Sequence, residues 1–245
     1  IFIIEIALAK LWQSKGVEPT ALIGHSVGEN TAACLSGVMS FEDALGLVSL
    51  RGRLFETVEP GGMLSVALSV DELNSYLNDD LALATINGPN QCTVAGRNDA
   101  LKVLEEKLEQ DDVEVQVIPI AIAAHSHLLE PILKEFGDYL RSIKLMSPGI
   151  PFISNVTGDW ISDKDAQDPE YWVRHLRSTV QFSSGATKLL EDNKYTFIEV
   201  GPGKILGSLV KLHQADIASR VVSTLRHPRE VKTVSHFLLT PAGKL

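Results

Sequence analysis

The stretch Gly24-His25-Ser26-Val27-Gly28 sits between a short apolar run, ALIG, and a segment with helical spacing. A G-x-S-x-G pattern at a strand-to-helix junction forces a sharp turn that holds Ser26 in a backbone conformation costly for a residue with a side chain. Side chains at positions 24 and 28 are expected to collide with the neighbouring strand and helix. Ser26 is then the expected nucleophile. The N–H of Val27, at the positive end of the following helix, is the natural donor to an oxyanion. Alone, such a pentapeptide also fits an ordinary turn with a capping serine; the strand and helix around it favour the nucleophile.

The rest of the chain carries α/β wiring. An apolar helix is expected to about Lys15, then a turn at Gly16, the ALIG strand, and a helix ending near Gly37. Ser40 followed by Asp43 reads as an N-cap opening a helix to about Thr57, and Pro60-Gly61-Gly62 breaks the chain. From Met63 to Ile120 the runs MLSVAL, DELNSYL, LALATIN, CTVAG, NDALKVLEEKLEQ and VEVQVIPI give the order β-α-β-β-α-β, a ferredoxin-like unit. Then HLLEPILKEFGDYLRSI reads as one amphipathic helix, PFISNVTG as strand and turn, YWVRHLRSTVQFSSGATKLLED as helical segments and YTFIEVGPG as strand and glycine turn. The expected division is 1–61 with 121–226 as a large subdomain, 62–120 as a small inserted one and 227–245 as a linker.

With 245 residues, 44% of them apolar, the chain can bury a full core. A net charge of −9 without a Lys/Arg cluster disfavours a nucleic acid partner. The opening IFIIEIALAKLW is interrupted by Glu5 and Lys10 and is shorter than the roughly 20 apolar residues of a membrane span, so it reads as a buried helix. Cys34 and Cys92 fit neither a disulfide framework nor a metal-ligand spacing, which points to a reducing, cytoplasmic setting. A secretory signal is not expected, and a start within a helical pattern with an ending on PAGKL suggests a piece of a longer polypeptide, although a processed terminus would look the same.

A serine nucleophile needs a base. His125, His127, His175, His213, His227 and His236 are all available beyond the elbow, and residue chemistry does not choose among them. His125 ends the apolar run Ala123-Ala124 beside small residues that leave room for a substrate. Arg51 shares a helix face with Leu47, Val48, Leu54 and Phe55, while Arg53 lies with Ser49 and Glu56, so Arg51 points inward. A buried guanidinium requires an anion, either an internal carboxylate or a substrate.

Taken together, GHSVGENTAACLSGVMSFEDALGLVSLRGRLF closely resembles the core of malonyl-coenzyme A:carrier protein acyltransferases, above all the acyltransferase domains of type I modular polyketide synthases. GGMLSVALS, ATINGPNQCTVAG, AAHSHLLEPIL, ISNVTG, YWVRHLRSTVQF and IEVGPGKIL continue the likeness in the family's order. The resemblance implies an α/β-hydrolase-like large subdomain with a parallel sheet and an inserted ferredoxin-like small subdomain, the site lying between them. It implies Ser26 as nucleophile, His125 as catalytic histidine and Arg51 as the grip on a substrate carboxylate. It also implies the backbone carbonyl of His175 as the group orienting the base, and His25, Ala124 and Asn155 as substrate-side residues. Asn155, Gly201 and Gly203 match family positions near the site, with roles that look more structural.

The implied reaction is ping-pong transfer of a malonyl-type group from coenzyme A, through an ester on Ser26, to the phosphopantetheine arm of an acyl carrier protein. Neither a metal nor a permanently bound cofactor is implied, and the partners are the carrier protein, a ketosynthase and other domains of the same polypeptide, not a membrane. The family's Gly-Gln-Gly motif, with one oxyanion donor, is expected ahead of Ile1, leaving Val27 as the donor in this chain. Where malonyl-selective relatives have His-Ala-Phe-His and methylmalonyl-selective ones Tyr-Ala-Ser-His, this chain has Ile122-Ala123-Ala124-His125. Ala124 leaves space for a methyl branch while Val27 leans towards malonyl, and malonyl is the preferred expectation. The competing readings are a serine thioesterase or hydrolase and a catalytically silent docking domain.

Overall fold

In a computed structural model, which describes residues 1–192 and 194–225, the N-terminal apolar stretch is helix α1 (Phe2–Gln13). It buries Phe2, Ile6, Leu8, Ala9 and Trp12 and stops two residues before the expected Lys15. Gly16, at φ 85°, turns the chain away. Strand β1 (Leu22–Ile23) leads through Ser26 into α2 (Val27–Leu35), closed by Gly37 at φ 84°. Helix α3 (Phe41–Phe55) starts where Ser40 Oγ accepts the Asp43 N–H at 3.0 Å, satisfying one of the free donors of its first turn.

The next stretch alternates as its periodicity predicts: β2 (Gly62–Val66), α4 (Val70–Leu73) with a 3-10 turn over Asn74–Tyr76, β3 (Leu81–Gly88), β4 (Gln91–Gly96), α5 (Asn98–Gln110) and β5 (Val115–Ile118). The four strands lie in the order β3-β4-β2-β5 and every neighbouring pair is antiparallel, the ferredoxin-like arrangement. One face buries Leu64, Val66, Cys92 and Val94 with Leu101, Leu104 and Leu108 of α5. The other face offers Met63, Ala84 and Ala95 to Ala123, Ala124 and Leu128. The strands' period of two thus gives the small sheet a core on one side and the loop that carries His125 on the other.

The single helix expected over 127–143 is instead a 3-10 stretch, His127–Ile132, followed by α6 (Leu133–Ser142). Pro131 lies inside the first part and has no N–H to donate, so regular α-helical bonding starts only after it. Strand β6 (Phe152–Ile153) pairs in parallel with β1, Leu22 opposite Phe152 and Ile23 opposite Ile153. There follow α7 (Asp163–Ala166), α8 (Pro169–Arg177), α9 (Phe182–Glu191), β7 (Phe197–Pro202), α10 (Ile205–Lys211) and β8 (Val221–Leu225), with β7 and β8 again parallel. The fold is α/β, and among the described residues its parallel strands form two short pairs. Leu47, Phe136, Leu140, Tyr171 and Trp172 fill the large core. The expected linker 227–245 lies outside the described residues. Among the described residues no helix is long and apolar enough to cross a membrane.

Candidate active site

The turn between β1 and α2 is a strained elbow. Ser26 has φ 52° and ψ −115°, a conformation that costs a residue with a side chain about 1–3 kcal/mol and persists only where its surroundings impose it. Asn155, just past β6, imposes it. Its Oδ1 accepts the Ser26 N–H at 2.7 Å and its Nδ2 donates to the Gly24 carbonyl at 2.8 Å. The backbone N–H of Asn155 donates to Glu29 Oε2 at 2.7 Å.

Glu29 is fully buried in the first turn of α2. Its other carboxylate oxygen accepts from the Tyr171 hydroxyl, and His175 Nε2 lies 3.2 Å from Oε2. Burial first, and Glu29 second, raise the Tyr171 pKa far above the usual phenol range, so it remains a donor.

Above this base, Ser26 Oγ lies 2.7 Å from His125 Nε2, and His125 Nδ1 lies 2.9 Å from the Ser178 carbonyl. A carbonyl only accepts, so Nδ1 carries the proton and Nε2 is free to accept from the serine hydroxyl. Desolvation holds the His125 pKa well below 6.5, reinforced by His175, Arg51 and His25 and partly offset by the carbonyl. The imidazole is neutral at neutral pH and able to take a proton.

Arg51 Nη2 donates to the same Ser26 Oγ at 3.1 Å, with its guanidinium 4.5 Å from the centre of the Phe55 ring. Burial lowers its pKa to about 10, so it remains a cation at neutral pH. Among the described residues it forms no ion pair. Of the two partners open at the sequence level, the internal carboxylate is therefore absent from these residues.

The N–H of Val27, the first residue of α2, has no partner four residues back in its own helix. Neighbouring His25 meets Asn87 Oδ1 at 2.8 Å and lies against the Phe182 ring, 5.5 Å between centres.

Several expectations need correcting. The carbonyl that holds His125 belongs to Ser178, not His175. His175 lies inside α8, where carbonyls run along the helix, whereas Ser178 is the C-cap with extended φ −80° and ψ 159°. The His175 ring instead stands edge-on to His125, 6.4 Å between centres. Asn155 is buried and spends both ends of its amide on the elbow backbone, so it braces the turn instead of facing a substrate. A side chain at position 24 would meet the Gly28 backbone at 2.1 Å, as expected, but one at position 28 meets nothing within 4 Å. Ala124 is buried beside the alanines of the small sheet. Of the other candidate bases, His213 pairs with Ser183 at 2.9 Å, and His227 and His236 lie outside the described residues.

Sequence reasoning missed Glu29, Tyr171, Ser178 and Asn87. Glu29 stands in a first helical turn beside Asn30, where an exposed acid is the ordinary expectation. Asn87 reads as part of the NGPN turn. A backbone carbonyl such as that of Ser178 has no residue signature.

A hydroxyl beside a neutral imidazole, at the start of a helix and under a cation without an ion pair among the described residues, defines a serine-type site able to form and release an acyl ester. Residues 1–240 match the acyl transferase domain family. The chain belongs to that family and is an acyltransferase.

A phenolphthiocerol/phthiocerol polyketide synthase component of Mycobacterium tuberculosis is 36% identical over 229 residues, 93% of this chain and 15% of the relative. The pikromycin polyketide synthase component PikAII of Streptomyces venezuelae is 37% identical over 212 residues, 84% of this chain and 6% of the relative. The chain thus spans at most 15% of the length of these curated relatives. Among solved structures, the acyl transferase domain of SpnD in complex with 2-(pent-4-yn-1-yl)malonyl has a TM-score of 0.94 at 41% identity, covering 99% of this chain and 59% of that one. FabD from Acinetobacter baumannii has a TM-score of 0.85 at 25% identity, covering 98% and 79%.

The two elbow glycines separate in a thermal melt. Gly24→Ala, which drives Cβ into backbone, is expected to lower the Tm by about 6–12 degrees or prevent folding, as for an overpacking loss of roughly 3 kcal/mol. Gly28→Ala, in open space within a helix, is expected to be neutral or stabilising by up to about 1 kcal/mol. Equal losses in the two variants would contradict this account of the turn.

Proposed function

We propose that this chain loads a malonyl-type extender unit from coenzyme A onto the phosphopantetheine arm of an acyl carrier protein, within a polyketide synthase. The observation that carries the substrate class is Arg51, a cation with no ion pair of its own among the described residues, hydrogen-bonded to Ser26 Oγ. A substrate whose acyl group ends in a free carboxylate supplies the missing anion in two-point fashion. Relatives that are polyketide synthases and a neighbour bound to a malonyl derivative support the same class.

In the proposed reaction His125 Nε2 takes the Ser26 hydroxyl proton as Oγ attacks the thioester carbonyl, with the Val27 N–H facing the oxyanion. The C–S bond then breaks, and the departing thiolate takes the proton back from His125. A pantetheine thiol next attacks the ester, His125 again relaying the proton, and Ser26 is regenerated. Arg51 holds the malonyl carboxylate and orients the ester away from water.

Malonyl is placed ahead of methylmalonyl on Val27, although Ala124 lacks the bulk that excludes a methyl branch, a difference worth only about 1–3 kcal/mol. The proposed division into 1–61 with 121–226 and 62–120 sets the acyl site between the subdomains, in a cytoplasmic assembly. A hydrolase would share Ser26 and His125 but has no use for a retained carboxylate, and a silent docking domain would not need a neutral base beside the serine.

Intact mass spectrometry after brief incubation tests this. The chain is expected to gain a malonyl adduct, lost in Ser26→Ala, with acetyl-coenzyme A labelling far less. Arg51→Ala is expected to slow malonyl labelling roughly 10–100-fold, the loss of a charged hydrogen-bond pair, and to erase the preference over acetyl. Equal labelling by acetyl and malonyl, or hydrolysis without transfer to a carrier protein, would refute the reading.

The pH dependence follows from His125. The neutral imidazole is the reactive form and its pKa lies well below 6.5. Acylation kcat/KM is therefore expected to stay level as pH falls from about 8 to about 6.5, and to decline only below that. An acid limb with its midpoint at or above about 6.5 would contradict it.

A further inference from the structure

The residues between α8 and α9 join the base to the small sheet. Ser178 is the C-cap of α8, and its carbonyl accepts the His125 Nδ1 proton at 2.9 Å. The next residue, Thr179, donates its hydroxyl to the Leu83 carbonyl of β3 at 2.6 Å. Val180 then pairs with the same strand: its N–H donates to the Ala84 carbonyl at 2.9 Å and its carbonyl accepts the Ile86 N–H at 2.9 Å. A parallel bridge between Thr85 and Val180 completes the contact.

β3 is an edge strand of the four-stranded sheet. Its pairing with β4 shifts register between Leu83 and Thr85, leaving Ala84 without a partner on β4. Residues 179–180 dock at this irregularity through a single parallel bridge. Gln181 follows by donating its N–H to the Asn155 carbonyl at 2.8 Å, so the segment is anchored at its far end to the brace of the elbow.

The Ser178 carbonyl and the Thr179 N–H belong to one peptide plane, and a peptide plane turns as a unit. Anchoring Thr179 by its side chain and Val180 by its backbone therefore fixes the direction in which the Ser178 carbonyl points. We propose that Thr179 is a positioning residue for acyl transfer: its hydroxyl, bonded to the Leu83 carbonyl, aims the peptide that holds His125 in its Nε2-accepting tautomer. The small sheet, through its edge strand, thereby sets the base, while Asn155 and α2 set the nucleophile. The proposal rests on the reading of Ser26 and His125 as the transfer pair.

Two variants of the full chain separate the donor from the shape. Thr179→Val keeps the branched outline and removes the hydroxyl, and Thr179→Ser keeps the hydroxyl and removes the methyl. In single-turnover acylation by malonyl-coenzyme A, Thr179→Val is expected to lower the maximal rate roughly 10–100-fold with little change in the half-saturating concentration, as for a misplaced catalytic group. Thr179→Ser is expected to remain within about twofold of the parent.

Proton NMR gives a second readout that does not depend on acylation. The His125 Nδ1–H resonance, assigned by its loss in His125→Ala, is expected in the parent and Thr179→Ser and is broadened away in Thr179→Val. Where Thr179→Val shows no cooperative thermal transition, Thr179→Ala takes its place. Parent-like rate and resonance in the hydroxyl-free variant would overturn the proposal, as would an equal loss in Thr179→Ser. A parent that does not acylate refutes the transfer reading instead, and the resonance comparison then decides the positioning role alone.

Discussion

One side chain grips both ends of the turn that presents Ser26. The amide of Asn155 accepts from Ser26 and donates to Gly24, and its own backbone N–H is taken by the buried carboxylate of Glu29. A positive φ at a serine costs about 1–3 kcal/mol, and two or three buried hydrogen bonds, each worth about 1 kcal/mol net, offset a penalty of that size. The cost of failure is asymmetric, because breaking any link leaves a buried polar group unpaired. The Tyr171 hydroxyl and the Glu29 carboxylate therefore belong to the support of the elbow as much as Asn155 does, though neither touches Ser26.

Electrostatics gives this support its chemical consequence. His25, His125, His175 and Arg51 crowd the space around one hydroxyl, and the mutual repulsion adds to desolvation in keeping His125 neutral. His25 is likewise pushed down by burial, with its bond to Asn87 acting in the opposite sense. The result is a neutral imidazole beside a cation, a pairing that would be lost if a carboxylate were built in next to Arg51. On the proposed reading an anionic substrate would bring that charge only when it binds, so the arrangement would favour an anionic acyl group without neutralising the site in advance.

Much of this could be read from residues. The pentapeptide fixed the elbow, period-two alternation delivered the small sheet in its right order, and helical spacing put Arg51 on the inward face. What escaped is carried by groups without a residue signature. The Ser178 carbonyl differs from that of His175 only because α8 ends between them, and helix ends are hard to place to within three residues. Asn155 could be read as a residue near the site with a more structural role, and its hydrogen bonds show which backbone groups it holds. Glu29 belongs to a sequence pattern of exposed acids at helix starts and is nevertheless fully buried. The break at Pro131 was legible from the absence of its N–H, but the amphipathic pattern ran through it and masked it.

On the proposed reading Ser26 and Arg51 form one site, the first bearing the acyl group and the second its carboxylate. A diffraction structure of the chain trapped after brief exposure to malonyl-coenzyme A tests it most directly. The expected result is an ester on Ser26 Oγ, with both oxygens of the free carboxylate within hydrogen-bond distance of the Arg51 guanidinium. An acyl group attached elsewhere, or a malonyl ester whose carboxylate points to solvent while Arg51 stays on Oγ, would contradict it.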